Sequence, residues 1–88
     1  MAYQLHVSPA AHRDIKRLDE KARQIVRDTL DALTTDSRPR GCRKLVGWER
    51  RYRLRVGRLR IIYDIFDLDE IIVVDRIVRR SETTYRRR

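Results

Sequence analysis

Residues 50–63 read RRYRLRVGRLRIIY, with arginines alternating with apolar residues on both sides of a single glycine. A period of two is the signature of a strand with one buried face, and a glycine between two such runs marks a hairpin turn. With Gly57 and Arg58 as the central turn residues, glycine first as a type II′ turn wants, Val56 pairs with Leu59, Leu54 with Ile61 and Tyr52 with Tyr63. That register makes one face of the hairpin wholly apolar. It sets Arg55 opposite Arg60 on the other face, with Arg53 and Arg51 further along, although like charges directly across a sheet destabilise it. A stable protein tolerates such a face best when an anion sits on it.

Working outward, strands are expected at 51–56, 59–66 and 71–78, with a second turn at 67–70, which makes a three-strand antiparallel meander. Near the start, Tyr3, Leu5 and Val7 alternate with Gln4 and His6 and give a short first strand. Ser8-Pro9 then reads as an N-cap followed by proline at the first helical position. A helical apolar stripe runs through Ala11, Ile15, Leu18, Ala22, Ile25, Leu30 and Leu33, and Asp19 interrupts it as a second N-cap. Both a helical hairpin (9–18 and 20–33) and one bent helix fit this spacing. TTDSRPRG at 34–41 is a loop, after which Lys44-Leu45-Val46 resumes order. The fold class is therefore α+β, a single two-layer domain spanning 1–88. The helices cover one sheet face and leave the arginine face available.

At 88 residues the chain buries only about 60–65% of the surface its unfolded state exposes, so a deep enclosed pocket is not expected. Its 22 Lys+Arg against 13 Asp+Glu give a net charge of +9. Lys16, Lys21 and Lys44 are the only lysines, and arginine favours planar, bidentate contacts with phosphate. The charge is uneven. Residues 1–37 carry six basic and six acidic side chains, whereas 38–63 carry ten basic and one acidic, Glu49. A patch of that kind fits nucleic acid or another polyanion. No apolar run reaches the length of a membrane span and no signal pattern precedes the domain, so a cytoplasmic protein with no membrane partner is expected. The lone Cys42 leaves no partner for an internal disulfide. Asp67, Asp69 and Glu70 share one turn and read as solvated, so neither metal nor cofactor is implied.

The assembled order is a short strand, a helical hairpin, KLVGWERRYRLRVGRLRIIYDI, a further strand and RRSETTYR. It resembles the RelE/ParE toxin superfamily over essentially the whole chain. In the RelE branch the resemblance implies a type II toxin that enters the ribosomal A site, cuts the mRNA there and is neutralised by a cognate antitoxin. In the ParE branch the same fold poisons DNA gyrase. The family's basic residues on the second strand match Arg51, Arg53 and Arg55, and its third-strand arginine matches Arg60. Counting back from Tyr85 selects Arg79 as the C-terminal arginine, whereas matching the preceding strand selects Arg80. The resemblance thus points to Arg53, Arg60, Arg79, Arg80 and Tyr85 as catalytic, with Arg51, Arg55, Arg58 and Lys44 on the RNA.

Cutting RNA by attack of a 2′-hydroxyl requires neutralising a phosphorane, activating the nucleophile and protonating a leaving oxygen. Arginine does the first. Its guanidinium stays protonated at any working pH, so the arginines are charge stabilisers and clamps rather than acids or bases. Tyr85 is the proton-transfer candidate, because neighbouring arginines favour phenolate and lower its pKa from about 10. His6 and His12 both precede the cationic segment and give it no acid/base pair, which suits an enzyme that relies on the ribosome. Trp48 fits either stacking on a base or closing the core edge, and Asp64 and Asp75 are expected to pair with Arg51 or Arg76. A non-toxic nucleic-acid-binding protein explains the charge but not the Arg/Tyr arrangement.

Overall fold

The computed structural model describes residues 2–79. Its elements in chain order are β1 (Gln4–Val7), α1 (Pro9–Lys16), α2 (Glu20–Thr35), β2 (Cys42–Lys44), β3 (Arg51–Val56), β4 (Leu59–Phe66) and β5 (Ile71–Arg79). Both expected caps form. Ser8 Oγ accepts the Ala11 N–H at 3.1 Å and Asp19 Oδ1 accepts the Ala22 N–H at 2.8 Å, each satisfying a donor that the helix itself leaves orphaned. The Ser8 hydroxyl also donates to the Asp75 carbonyl at 2.8 Å, tying the start of α1 to β5. Between the helices the Arg23 guanidinium donates to the Leu18 carbonyl at 2.8 Å and closes the bend, so the hairpin alternative holds.

The five strands form one sheet in the order β1-β5-β4-β3-β2. The β3–β4 register is the one the alternation dictates, Val56 with Leu59, Leu54 with Ile61, Tyr52 with Tyr63 and Arg55 with Arg60. Gly57 has φ +59° and Glu70 is the one non-glycine among the described residues with positive φ, as a type II′ turn on Gly57-Arg58 requires.

Two features extend the expected meander into a mixed sheet. Cys42–Lys44 is a strand in its own right, antiparallel to β3, and three residues are too few to show a period. β1 joins parallel to β5, which places Leu5 beside Ile72 and Val7 beside Val74, so its two apolar residues continue the core. That core packs Ala11, Val26, Leu30 and Leu33 of the helices against Leu54, Leu59, Ile61, Tyr63, Ile65, Ile72, Val74 and Ile77 of the sheet. Each large apolar side chain there contributes about 1.5–3 kcal/mol by leaving water.

A β-bulge breaks the β4–β5 ladder. Ile62 pairs with Arg76 and Tyr63 with Val74, leaving Asp75 as the extra residue. Before the bulge Ile72 and Val74 face the core; after it Ile77 does, and Arg79 stands opposite the core residue Leu59. Past Val74, β5 also loses its β1 neighbour, and α1 takes over the edge. Asp14, 8% exposed, accepts the Ile77 N–H at 2.8 Å and grips Arg76 at 2.8 and 3.1 Å.

Candidate nucleic-acid interface

The face of β3 and β4 turned away from the helices has two unlike ends. At the first, Arg51 lies opposite Asp64 and bonds both of its oxygens, Nε to Oδ1 at 2.8 Å and Nη2 to Oδ2 at 2.9 Å. Its Nη1 reaches Asp75 Oδ2 at 3.3 Å, a contact that the bulge makes available. The guanidinium also lies 4.3 Å from the centre of the Trp48 ring, a cation–π distance. The hydrogen bonds that it donates to Asp64 raise the Arg51 pKa above its ordinary value. Asp64 and Asp75 thus both serve Arg51, and Arg76 is taken by Asp14 instead.

At the other end arginine meets arginine. Arg55 pairs with Arg60, and Arg53 pairs with Ile62, the residue two beyond Arg60, so Arg53 and Arg60 are diagonal neighbours about 7–8 Å apart. Arg53 and Arg60 are half-buried and Arg55 is exposed. Ile62 and Val78, on this same face and outside the main core cluster, are only 0% and 2% exposed. Arginine side chains are long enough to shield apolar residues beneath them while keeping their heads outward.

The geometry sorts the other sequence candidates. Lys44 pairs with Tyr52, and Cys42, two residues earlier, packs on the core, so Lys44 belongs to the helix side of the sheet and leaves the arginine face. Arg43, between them, pairs with Arg53 on that face. Only the register of β2 reveals this, and nothing in the local sequence carried it. Arg79 is likewise not beside Arg53 and Arg60, because the bulge shifts its alternation by one. It borders a groove with Arg17, Leu18 and Asp19, and Arg58 at the hairpin turn borders the same groove. Leu18, Ala22, Ile25, Val56 and Leu59 give the groove its apolar lining, and Ile25 is 45% exposed. Arg80 and Tyr85 lie outside the described residues.

Arg38, though part of the cationic segment, is a clasp. It holds Asp67 through Nη2 at 2.8 Å and Nη1 at 3.2 Å and bonds the Tyr52 hydroxyl through Nε at 3.1 Å. The Tyr3 hydroxyl donates to the same carboxylate at 2.8 Å. Arg38, and after it Tyr3, hold the Asp67 carboxyl below the usual range, while Asp67 holds the Tyr3 hydroxyl above its own. Tyr63 is fully buried, and burial pushes its phenol up; it donates to the Ser37 carbonyl at 3.0 Å. These groups pin the loop after α2 onto the sheet. Among the described residues no group of three His, Cys, Asp or Glu is placed to hold a metal ion, and no helix is long and apolar enough to cross a membrane.

A face of this kind binds anions and stabilises developing negative charge. Its described residues supply cations rather than an acid/base pair. His6 lies on β1, at the far edge of the sheet from β2, and His12 lies in α1.

Comparison with known proteins agrees with this architecture. The chain is similar to a chain of the archaeal RelE–RelB complex from Pyrococcus horikoshii OT3, with TM-score 0.83 and 23% identity over 94% of this chain and 100% of that one. It is similar to a chain of the RelBE2 toxin–antitoxin complex of Mycobacterium tuberculosis, with TM-score 0.80 and 22% identity over 91% and 100%. A chain of the intact Escherichia coli RelBE complex gives TM-score 0.79 and 20% identity over 93% and 100%. At these identities the likeness establishes the fold. No curated protein matches in sequence. The family model of the ParE toxin of the type II toxin–antitoxin system, parDE, matches residues 5–84. With nearly the whole chain matched and the fold shared, the chain belongs to the ParE toxin family of type II toxin–antitoxin systems, within the RelE/ParE superfamily.

Proposed function

We propose that this toxin is a ribosome-dependent endoribonuclease that cuts mRNA in the A site, acts in the cytoplasm and is held in check by a cognate antitoxin. The observation that carries the reading is the cluster of Arg53, Arg55 and Arg60, in which Arg55 and Arg60 directly oppose each other across two strands. Such a cluster costs stability unless an anion offsets it, and a phosphate in the process of cleavage is the anion whose charge grows. Arg53 and Arg60 clamp the scissile phosphate and neutralise the phosphorane, and Arg55 holds a flanking phosphate. Arg51, already held by two carboxylates, positions the strand. Because Arg79 borders the groove, Arg80 is the better C-terminal catalytic candidate. Tyr85 supplies the hydroxyl that moves a proton.

The groove lined by Leu18, Ala22, Ile25, Val56 and Leu59, with Arg17, Arg58 and Arg79 around it, fits an amphipathic acidic segment. We assign it to the antitoxin; two of the similar solved structures are described as toxin–antitoxin complexes and one as a RelE–RelB complex. Ile25→Glu should weaken antitoxin affinity by about ten- to a hundredfold, or 1.4–2.8 kcal/mol, while cleavage continues, as titration of cleavage with antitoxin will read.

The description of the matching family favours a second reading, a gyrase-poisoning toxin without ribonuclease activity. Induced expression followed by ribosome profiling and a DNA-damage readout separates the two. Cleaved mRNA at the A site without DNA damage supports the first, and DNA breaks with intact mRNA support the second.

A further inference from the structure

Two cross-strand arginine pairs share this face, and one of them includes an arginine beyond the residues that the motif marks. Arg43 on β2 is opposite Arg53, and Arg55 is opposite Arg60 one rung further. Arg43 is exposed, and no carboxylate among the described residues pairs with it. β2 is a three-residue edge strand, where a repulsive pair is easily avoided by a different residue or by fraying.

We propose that the single-stranded RNA track runs across the strands from β4 over β3 to the β2 edge, with Arg43 as its outer phosphate contact. The inference rests on the ribonuclease reading and extends it to the path of the substrate. Neighbouring strands lie about 4.8 Å apart, so cations on three successive strands span about 10 Å, long enough to meet more than one phosphate. Among the described residues the arginines cover the apolar Ile62 and Val78 of this face, whereas the opposite groove leaves Ile25 45% exposed for a peptide. Arg43 touches RNA to one side of the scissile phosphate, so it contributes to binding more than to the chemical step.

Lys44 provides the internal control. It carries the same charge on the same strand, one residue on, and belongs to the helix side. The full-length toxin and its Arg43→Ala, Lys44→Ala and Arg53→Ala variants, each checked for an unchanged melting temperature, are titrated with a fluorescein-labelled single-stranded RNA dodecamer. The salt dependence is followed by anisotropy from about 50 to about 200 mM KCl. Losing one phosphate contact lowers the slope of log affinity against log salt by about 0.7 for a single strand. Arg43→Ala and Arg53→Ala should each show that loss and Lys44→Ala should not. In single-turnover cleavage on programmed ribosomes, Arg43→Ala should raise the half-saturating toxin concentration and leave the maximal rate within about twofold, a pattern of lost uniform binding. If Arg53→Ala lowers the slope and Arg43→Ala does not, the track ends at β3 and this inference fails while the RNA reading stands. If neither lowers it, both fail. Equal losses in Arg43→Ala and Lys44→Ala, or a loss of antitoxin affinity in place of RNA affinity, also overturn the assignment.

Discussion

Arg51 and Arg55 stand on one face of one strand, four residues apart, and meet opposite neighbours. Arg51 has a carboxylate across the strand, a second from the bulge and an indole ring beneath it. Arg55 has another arginine. The first end is complete within the fold: its charge is offset, its donors are used and its position is fixed. At the second end like charges face each other across the strands. Side by side, they show that the number of arginines says less about a surface than their cross-strand partners do.

The strongest way to break this contrast is to empty the end where arginine faces arginine. Arg60→Ala or Arg53→Ala should slow single-turnover cleavage of A-site mRNA by about ten- to a thousandfold, or about 1.4–4 kcal/mol of barrier. The melting temperature should hold or rise slightly as repulsion is relieved. A normal cleavage rate in both would end the proposed catalytic role. Beside this face, on β5, Asp14→Ala removes the acceptor of both the Ile77 N–H and Arg76, so the folded state should lose about 2–3 kcal/mol. Thermal melts should then fall by roughly 10–20 °C for a domain of this size. At the balanced end Arg51→Ala should cost about 1–2 kcal/mol by leaving Asp64 and Asp75 facing one another, with cleavage per folded molecule within about threefold of wild type. A thousandfold loss of cleavage would move Arg51 into the substrate-contacting set.

The smallest effect belongs to the clasp of Arg38, Asp67 and Tyr3. Because the folded-state pKa of Asp67 is lowered, its contribution is fully present above the unfolded value of about 3.9 and is lost as pH falls through the lower folded value. Because that of Tyr3 is raised, its share is present below about 10 and is lost as pH rises through the higher folded value. Asp67→Asn should therefore narrow the gap to wild type at acid pH and leave a small constant gap between these limits, as urea melts across pH will read.

What the sequence made legible was whatever is decided locally. One glycine between two alternating runs has only one comfortable turn, so the β3–β4 register followed residue by residue. Ser8-Pro9 and Asp19 announced their helices because a cap acts within three residues of itself. What escaped depends on distant partners. The three residues of β2 show no period, and the parallel seat of β1 beside β5 is decided by where Leu5 and Val7 extend the core. IIVVDRIVR looks like one even strand because nothing in it signals that Asp75 is skipped. The candidate site inherits this division: the places of Arg53 and Arg60 were legible through the hairpin, whereas that of Arg43 depends on β2, and the side of the sheet that Arg79 takes depends on the bulge.

The bulge also constrains how this strand can change in length. With Asp75 still skipped, losing or gaining one residue between Arg76 and Arg79 would reverse the side chains that follow and send Arg79 across to the other side. Changes of two residues would preserve the pattern. Within the family, length variation along this segment is therefore expected in even steps, or in odd steps accompanied by loss of the skipped residue. A homologue that lacks a counterpart of Asp75 should keep its next arginine on the same side, in a regular ladder, and should have no second carboxylate for its counterpart of Arg51.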